Sequence, residues 1–469
     1  MKKHCFPPED RRFSRRGFLE YSGTGLACAL MAACSAEKSQ PAGRTEQDLP
    51  NIVLLIADDT GWYDVGYQGS EIRTPYIDRM AQNGVVLDQF YACPTCSPTR
   101  AAVLMGRPPS RFGILGPIAL RSTLSLPPGI PTLASVLSGA GYYCAQAGKW
   151  HLGLTPEVGP RRFGFSSSYG YLHGQIDQYT HIYKNGDRSW HRNEQFIDEQ
   201  GHATDLIAAE TVRQIKDSDR SKPFFLYTAF SVPHYPLQED EKWVKPYQNT
   251  IENPSRRLYA AAMTHMDDAV GRILAALDEE NLSSNTLVIF MSDNGGQQDW
   301  EGGPDQYNGR HGPNDRLGDN RPLRDWKGSL YEGGIRVPAC IYWAGKLSPG
   351  QVSEPVHAMD ILPTLAALAG AELSPEMNVE GADIWPLVTG VSAGAERTFY
   401  WNTGRQLALR RGNWKLIHQS GSLDDGTSEL YNLAEDPYEK NDLAQEMPQI
   451  VADLRRLMAE QRAMDRLVE

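Results

Sequence analysis

The sequence predicts an α/β fold, in which a large, mostly parallel β-sheet flanked by helices precedes a smaller antiparallel sheet with a closing helix. Apolar runs of strand length occupy residues 51–59, 222–236 and 285–296, and strands buried on both faces have this character. Helical patterns, at residues 74–84 and 257–281, lie between the runs. Strands that alternate with helices favour parallel pairing in a sheet covered by those helices.

The pattern changes after about residue 370. Short strand-like segments with turns, RTFYW, QLALRRGNWKLI and SELYNLAEDP, are followed by a helical stretch over residues 447–469. Short strands joined by turns favour antiparallel pairing. We therefore expect a main domain over residues 51–370 and a C-terminal α+β subdomain over residues 371–469.

The first 50 residues differ from the rest of the chain. The segment SRRGFLEYSG places Arg15 and Arg16 before a short apolar stretch, and LMAAC ends at Cys34. This arrangement resembles a twin-arginine export signal over residues 1–33 that ends in a lipoprotein cleavage box. A disordered basic tail is the alternative. The resemblance predicts an exported, periplasmic or cell-envelope lipoprotein, held to the membrane by lipid on Cys34 and by a polar tether over residues 34–50.

The charge balance argues against one class of partner. The chain has 58 acidic against 46 basic residues and a net charge of −12. An acidic protein repels phosphate backbones, so we expect no nucleic-acid partner. No apolar run reaches the roughly 18–20 residues that a membrane-spanning helix needs.

Two pairs of polar residues follow two of the apolar runs. Asp58 and Asp59 end the first run, and Asp293 and Asn294 come at the equivalent place in the third. Ligands in open α/β sheets lie beyond the carboxyl ends of the strands. Four oxygen donors there suit Ca²⁺ or Mg²⁺ better than zinc. Helix capping and turn formation are the alternative for a single pair, but two pairs at equivalent positions favour a metal site.

The segment CPTCSPTR, residues 93–100, allows two interpretations. Its first four residues form a C-x-x-C, which is typical of a redox pair or half a zinc site. Its last five form C-x-P-x-R, and Pro98 suits the first turn of a helix. On that helix Arg100 shares a face with Cys96, and the unpaired N–H groups of the helix start favour an anion.

Four further basic residues are candidates for the same site. Lys149 and His151 stand two apart in AGKWHLG, so they point to the same side of a continued strand. His234 lies at the end of the second apolar run, and Lys327 lies in PLRDWKGSLYEGGIRVP. A buried lysine needs a charged partner, which favours a functional site over a core position.

A series of motifs in fixed order carries a family resemblance. They are ADDTGWYDVG, TPYIDRMAQNGV, CSPTRAAVLMGR, GKWHLG, VPHYPLQ, SDNGG, KGSLYEGGIRVP and ELYNLAEDP. With these motifs the chain resembles the formylglycine-dependent sulfatases of the alkaline-phosphatase-like superfamily, most closely the arylsulfatase B (N-acetylgalactosamine-4-sulfatase) branch. The main domain would then be the catalytic sulfatase domain.

The resemblance implies a cofactor set and a role for each candidate residue. A separate sulfatase-maturing enzyme would oxidise Cys96 to Cα-formylglycine, which leaves Cys93 without a redox role. One Ca²⁺ per chain would be held by Asp58, Asp59, Asp293, Asn294 and residue 96. Arg100 and Lys149 would stabilise the formylglycine hydrate and the sulfate oxygens, and His151 would be the base that collapses the sulfated intermediate. His234 and Lys327 would hold sulfate and assist the leaving oxygen, and Asp293 would double as a base.

The expected substrate is a sulfated carbohydrate. Residues 170–186 and 297–321 supply His, Asp, Asn, Arg and Tyr side chains that suit sugar hydroxyls, and the second segment is longer than the matching loop of that branch. The resemblance predicts exo action on a galactose or N-acetylgalactosamine type residue. A phosphonate or phosphodiester hydrolase of the same superfamily is one alternative. A catalytically silent lipoprotein that binds sulfated glycans is the other.

Overall fold

The computed structural model describes residues 49–184 and 186–466. The predicted export signal, the lipid site at Cys34 and nearly all of the tether lie outside these residues. They stay predictions, which cell fractionation of a Cys34→Ala variant would test. Within the described part of the chain, no helix is long and apolar enough to cross a membrane.

The strands are numbered in chain order. They are β1 (Asn51–Ala57), β2 (Val85–Leu87), β3 (Phe90–Tyr91), β4 (Tyr143–Lys149), β5 (Ser167–Tyr171), β6 (Ile182–Tyr183), β7 (Asp187–Arg188), β8 (Trp190–Arg192), β9 (Gln195–Phe196), β10 (Phe224–Ala229), β11 (Thr286–Ser292), β12 (Ala339–Trp343), β13 (Gly350–Val352), β14 (Val356–His357), β15 (Thr398–Asn402), β16 (Leu407–Arg411), β17 (Trp414–His418) and β18 (Ser428–Asn432).

The α-helices are numbered in the same way. They are α1 (Pro75–Asn83), α2 (Cys96–Met105), α3 (Leu133–Gly139), α4 (Ala203–Lys216), α5 (Glu241–Val244), α6 (Pro254–Glu279), α7 (Glu332–Ile335), α8 (Ile361–Leu368), α9 (Trp385–Val388) and α10 (Pro448–Arg462).

The main domain is built on a ten-stranded sheet, as the sequence predicts. Its strand order is β13-β2-β12-β11-β1-β10-β4-β5-β8-β9. The central strands β11, β1, β10, β4 and β5 run parallel to one another, and antiparallel strands extend the sheet on both sides. The parallel centre places the carboxyl ends of four predicted strands along one edge.

Helices cover both faces of this sheet. In β1 the side chains alternate, so Ile52 and Leu54 pack into one apolar cluster with helices α2, α3 and α8. Val53 and Leu55 pack into the opposite cluster with α1, α4 and α6. Burial on both faces explains why this strand is a continuous apolar run in the sequence.

The C-terminal part forms the predicted antiparallel sheet and closing helix. Strands β15, β16, β17 and β18 pair in sequence order, and α10 packs on one face through Leu454 and Met458. The other face contributes Phe399 and Trp401 to an apolar cluster that includes Tyr91 of the main domain. Because this cluster draws on both parts, the domain boundary near residue 370 stays a prediction.

A buried ionic network also joins the two parts. The Lys415 ammonium of β17 is fully buried between Glu332 of α7, at 2.8 Å, and Glu439, at 2.7 Å. The Tyr91 hydroxyl donates to the second Glu332 oxygen at 2.6 Å. Burial raises the pKa of Glu439 to about 7 despite the neighbouring Lys415. Because the two carboxylates share the Lys415 ammonium, the stability of both depends on the position of Lys415.

We predict that Lys415→Ala destabilises the protein by about 3–5 kcal/mol, because the change removes the one cation that lies between two buried carboxylates. Denaturant unfolding monitored by tryptophan fluorescence measures this loss. The matched control is Lys346→Ala, since Lys346 is exposed. Equal stability of the two variants would show that the network does not hold the C-terminal sheet in place.

Candidate active site

The carboxyl edge of the parallel strands gathers the polar residues that the sequence singled out. Asp58 and Asp59 follow β1, Asp293 and Asn294 follow β11, and Lys149 is the last residue of β4. All five are fully buried. Charged groups at this depth need partners, so their contacts define the site.

Each of the three carboxylates at this edge is paired with a buried or nearly buried cation. Lys149 Nζ lies 2.7 Å from Asp58 Oδ2, and Lys327 Nζ lies 2.6 Å from Asp59 Oδ1. Arg100 donates through Nε and Nη2 to Asp293 Oδ2, at 3.0 and 2.6 Å. Lys327 keeps 10% of its side chain exposed, so it is the cation of the three that solvent reaches.

The two adjacent aspartates have different electrostatic surroundings. Burial raises the pKa of Asp58 well above its ordinary value, and Asp293 and Asp59 add to this effect while Lys149 opposes it. Burial also acts to raise the pKa of Asp59, but the cations Lys327 and Lys149 outweigh it and hold that pKa below the ordinary range. Of these two aspartates, Asp59 is therefore the one that stays ionised more readily.

Cys96 is the first residue of α2, and its thiol contacts His151. The Sγ atom lies 3.1 Å from His151 Nδ1, and His151 Nε2 lies 3.1 Å from the Ile118 carbonyl oxygen. A carbonyl oxygen only accepts, so Nε2 carries the proton and Nδ1 presents a lone pair to residue 96. Burial and the nearby Lys149 lower the pKa of His151 well below its usual value, which keeps the ring neutral.

His234 lies beside Asp59 in the acidic cluster. Its Nδ1 lies 2.7 Å from the Tyr235 carbonyl oxygen, and its Nε2 lies 3.7 Å from Asp59 Oδ2. Burial and Lys327 lower the pKa of His234 well below its usual value. The imidazole is therefore neutral, and Lys327 is the protonated group beside Asp59.

The site offers the donors that a divalent cation requires. Asp58, Asp59 and His234 each have one candidate ligand atom, and the three atoms lie within 4.8 Å of one another. The side-chain Oδ1 of Asn294 is buried and has no hydrogen-bond partner among the described residues, while its Nδ2 donates to Asp59. Asp293 Oδ1 accepts from the Asp59 N–H. Carboxylate and amide oxygens fit Ca²⁺, and the sequence did not anticipate His234 in this set.

The two cysteines of the C-x-x-C have different surroundings. Cys93 belongs to the apolar cluster of Ile335 and Trp401, and its N–H donates to the Thr99 hydroxyl. Burial raises the pKa of the Cys93 thiol to about 12. All four described cysteines are free. The redox-pair interpretation therefore finds no support, whereas Cys96 faces the charged site.

Two residues that shape the site were missed in the sequence. The Ile118 carbonyl orients His151 from a loop, and a backbone carbonyl has no signature in the sequence. Gly174 packs so closely that an added Cβ would lie 2.5 Å from His151 Cε1. Gly174 lies in residues 170–186, which were singled out for their polar side chains and not for their glycine.

The two segments predicted to bind sugar contact each other beside the site. His311 Nε2 lies 2.9 Å from Asp177 Oδ2, and Gln175 donates to the Tyr307 hydroxyl at 3.2 Å. Trp300 stacks on Tyr235 with ring centres 4.6 Å apart. Residues 297–321 therefore contact Tyr235, next to His234, through Trp300. They contact residues 170–186 through Tyr307 and His311.

A second histidine–carboxylate group lies behind these segments. His265 of α6 is held between Glu239, at 2.7 Å, and Asp205, at 3.2 Å, and His202 lies 3.6 Å from Glu239. Burial lowers the pKa of His265, but the hydrogen bonds to both carboxylates outweigh this and raise it to about 9. His202 Nε2 donates to the Gln238 carbonyl oxygen. The group is an ion-paired support for the loop after β10.

Comparison with known proteins decides the family. The protein family described as "Sulfatase" matches residues 50–371, and the family described as "N-sulphoglucosamine sulphohydrolase, C-terminal" matches residues 325–464. The first match covers more than half of the chain and contains every candidate residue named above. The chain belongs to the sulfatase family. It is therefore a sulfuric ester hydrolase with the fold of the alkaline-phosphatase-like superfamily.

Named relatives agree with this assignment. Arylsulfatase J of Mus musculus is 31% identical over 89% of the chain and 77% of its own length. N-acetylgalactosamine-6-sulfatase of Mus musculus is 33% identical over 78% of the chain and 71% of its own length. The crystal structure of Ps i-CgsB in complex with k-i-k-neocarrahexaose is 30% identical, with a TM-score of 0.78 over 89% of the chain and 94% of its own. The names differ, so they support the family rather than one branch.

We predict that Gly174→Ala lowers the sulfatase kcat by about 10²-fold, because the new methyl group would displace the His151 ring. Steady-state kinetics with an aryl sulfate measures the effect, and circular dichroism checks that the fold is kept. Gly139→Ala is the matched control, since no atom lies within 4 Å of the added Cβ. Similar kcat values for both variants would mean that the position of His151 does not matter.

Proposed function

We propose that this sulfatase hydrolyses sulfate esters of carbohydrates, with Cα-formylglycine at position 96 and Ca²⁺ in the carboxylate cluster. The observation that carries the proposal is the position of the Cys96 side chain, which contacts the lone pair of His151 and lies near Lys327 and Arg100, the cations paired with the buried carboxylates Asp59 and Asp293. The carbohydrate substrate is supported by the relatives, whose names include an N-acetylgalactosamine sulfatase and a complex with a carrahexaose. Export and lipid attachment at Cys34 stay predictions from the sequence.

The thiol of Cys96 stands where an oxygen of the modified residue would lie. Formylglycine hydrate supplies two hydroxyl groups on one carbon, one to attack sulfur and one whose oxygen reforms the aldehyde when sulfate leaves. His151 Nδ1 is 3.1 Å from this position and unprotonated, so it can accept the proton of that second hydroxyl. The Ile118 carbonyl fixes the tautomer that makes this possible.

Ca²⁺ at this site would be held by oxygens of Asp58, Asp59, Asp293 and Asn294 and by residue 96, and would supply positive charge for the sulfate oxygens. Arg100 is held by Asp293 and by the Lys149 carbonyl oxygen, so it contributes a fixed charge. Such fixed charges stabilise a transition state without reorganising.

The leaving alcohol needs a proton, because a sugar alkoxide leaves less readily than a phenolate. Burial acts to lower the pKa of Lys327, but Asp59 outweighs it and raises that pKa above the ordinary value. Lys327 is therefore protonated and partly accessible, and we assign it as the proton donor. His234 donates its Nδ1–H to the Tyr235 carbonyl oxygen, so its neutral ring presents an Nε2 lone pair, and it would hold a sulfate oxygen only after taking up a second proton.

We expect Cys96 to be oxidised when the protein is made with a sulfatase-maturing enzyme. Mass spectrometry of the tryptic peptide that contains residue 96 should show the aldehyde or its hydrate. Cys96→Ala should lower kcat by at least about 10³-fold, because the nucleophile is lost. Cys93→Ala is the control and should stay active. Full activity in protein whose Cys96 is unmodified would refute the mechanism.

Calcium should bind once per chain and depend on Asp59. Elemental analysis gives the stoichiometry, and calorimetry on chelator-treated protein gives the affinity, which Asp59→Asn should weaken by at least about tenfold. Calcium should also raise the Tm of the wild type, because it binds only the folded state. Asp205→Asn, at the second histidine group, should leave the affinity unchanged. A wild-type Tm that does not change when calcium is added would contradict the proposed calcium site.

The substrate class can be tested with a panel of sulfated mono-, oligo- and polysaccharides against p-nitrophenyl sulfate. We expect at least one galactose or N-acetylgalactosamine sulfate ester to give the higher kcat/KM, because remote binding energy must offset the poorer leaving group. Released sulfate is measured by ion chromatography. A preference of more than about tenfold for the aryl ester, with no sulfate released from any glycan, would exclude a carbohydrate substrate.

A further inference from the structure

An open pocket of about 550 Å³ lies next to the His151 side of the site. Its walls include Leu120, two residues beyond the Ile118 carbonyl that contacts His151. They also include His173, which precedes Gly174 against the same imidazole ring. A volume of this size fits a sugar unit, since ligand pockets span roughly 300–1,000 Å³.

The lining of this pocket combines apolar and hydroxyl surface, which suits a sugar ring. Apolar surface comes from Phe196 and Leu154, and hydroxyl groups come from Ser122 and Thr155. His173 stacks on Tyr183 with ring centres 4.5 Å apart, and burial lowers its pKa to about 4, so the ring is neutral. Apolar faces beside hydroxyl groups match the two kinds of surface on a sugar ring.

Arg121 supplies a free positive charge to this pocket. The side chain is exposed, and in the described part of the chain it has no hydrogen-bond or ion-pair partner. The other arginine of the lining, Arg188, is already paired with Asp198 at 3.0 Å, and Asp187 adds a negative charge. Arg121 is therefore the cation that an incoming anion meets without displacing a partner.

The backbone at Arg121 argues against a purely structural role. Its φ of 65° lies in the left-handed region, which costs free energy for any residue with a Cβ. Glycine would remove that cost. Strained backbone conformations of this kind are found often at ligand sites.

We propose that this pocket, the Arg121 pocket, binds the sulfate or carboxylate group of a sugar that neighbours the hydrolysed one. The inference rests on the proposed sugar sulfatase activity and deepens it. The preferred substrate is then an oligosaccharide with at least two charged sugars, one at residue 96 and the next beside Arg121. Only a charged neighbour makes full use of the pocket.

The test compares disaccharides that all contain the same reacting sugar. This sugar is the monosaccharide sulfate that gives the highest kcat/KM in the panel. Its neighbour is neutral, sulfated or a uronic acid, and kcat/KM is measured for each with the matured enzyme. The wild type should prefer a charged neighbour by at least about tenfold, as expected for a charge-assisted hydrogen bond. The sulfated and uronic acid arms show which anion the pocket takes.

Arg121→Gly should abolish this preference while its Tm stays equal to or above that of the wild type, because glycine suits the backbone. Arg121→Lys should keep part of the preference, since it keeps the charge. Arg220→Ala is the control, because Arg220 pairs with Glu280 and lines a different pocket. Its preference should match the wild type.

Two results would overturn the inference. The first is a wild type without preference for a charged neighbour, and the second is an Arg121→Gly variant that keeps the preference. In either case the sugar sulfatase activity itself stands. Failure of every sugar sulfate to react would instead contradict the proposed function, and with it the proposed role of the Arg121 pocket.

Discussion

The pairing of Asp58 with Lys149 at the end of β1 and β4 is the constraint on which the rest of the site depends. Both groups are fully buried, and an unpaired charge at this depth would be prohibitively costly. Lys327 and Arg100 balance Asp59 and Asp293 in the same way. The protein thus pairs three buried or nearly buried cations with three carboxylates in one cluster, and the apolar sheet supplies the rigidity that holds the cluster together.

The acidic cluster could be predicted because it follows from strand geometry. An apolar run that ends in polar residues marks the carboxyl end of a parallel strand, so Asp58, Asp59, Asp293 and Asn294 converge once the strands pair. Lys149 and His234 follow from the same rule on β4 and β10. The fold class was predictable for a related reason, since burial on both faces leaves a continuous apolar pattern.

Other parts of the structure leave no such pattern. Lys415 occupies an alternating position in β17, which in sequence is typical of a solvent-facing side chain, yet its face packs on the main domain. The Ile118 carbonyl and the left-handed Arg121 belong to a loop whose path depends on long-range packing. Contacts made by backbone atoms, or by residues far apart in the chain, are fixed only when the tertiary structure forms.

The burial of helix α2 has a consequence for the order of events during synthesis. Cys96 is only 2% exposed, and Pro98 and Arg100 beside it are buried as well. An enzyme that oxidises Cys96 must reach its thiol, and the burial of the thiol in the folded chain blocks that access. If Cys96 is oxidised as proposed, the reaction precedes folding. Molecules that fold before oxidation then stay inactive. The fraction of active enzyme therefore depends on the rate of oxidation relative to the rate of folding.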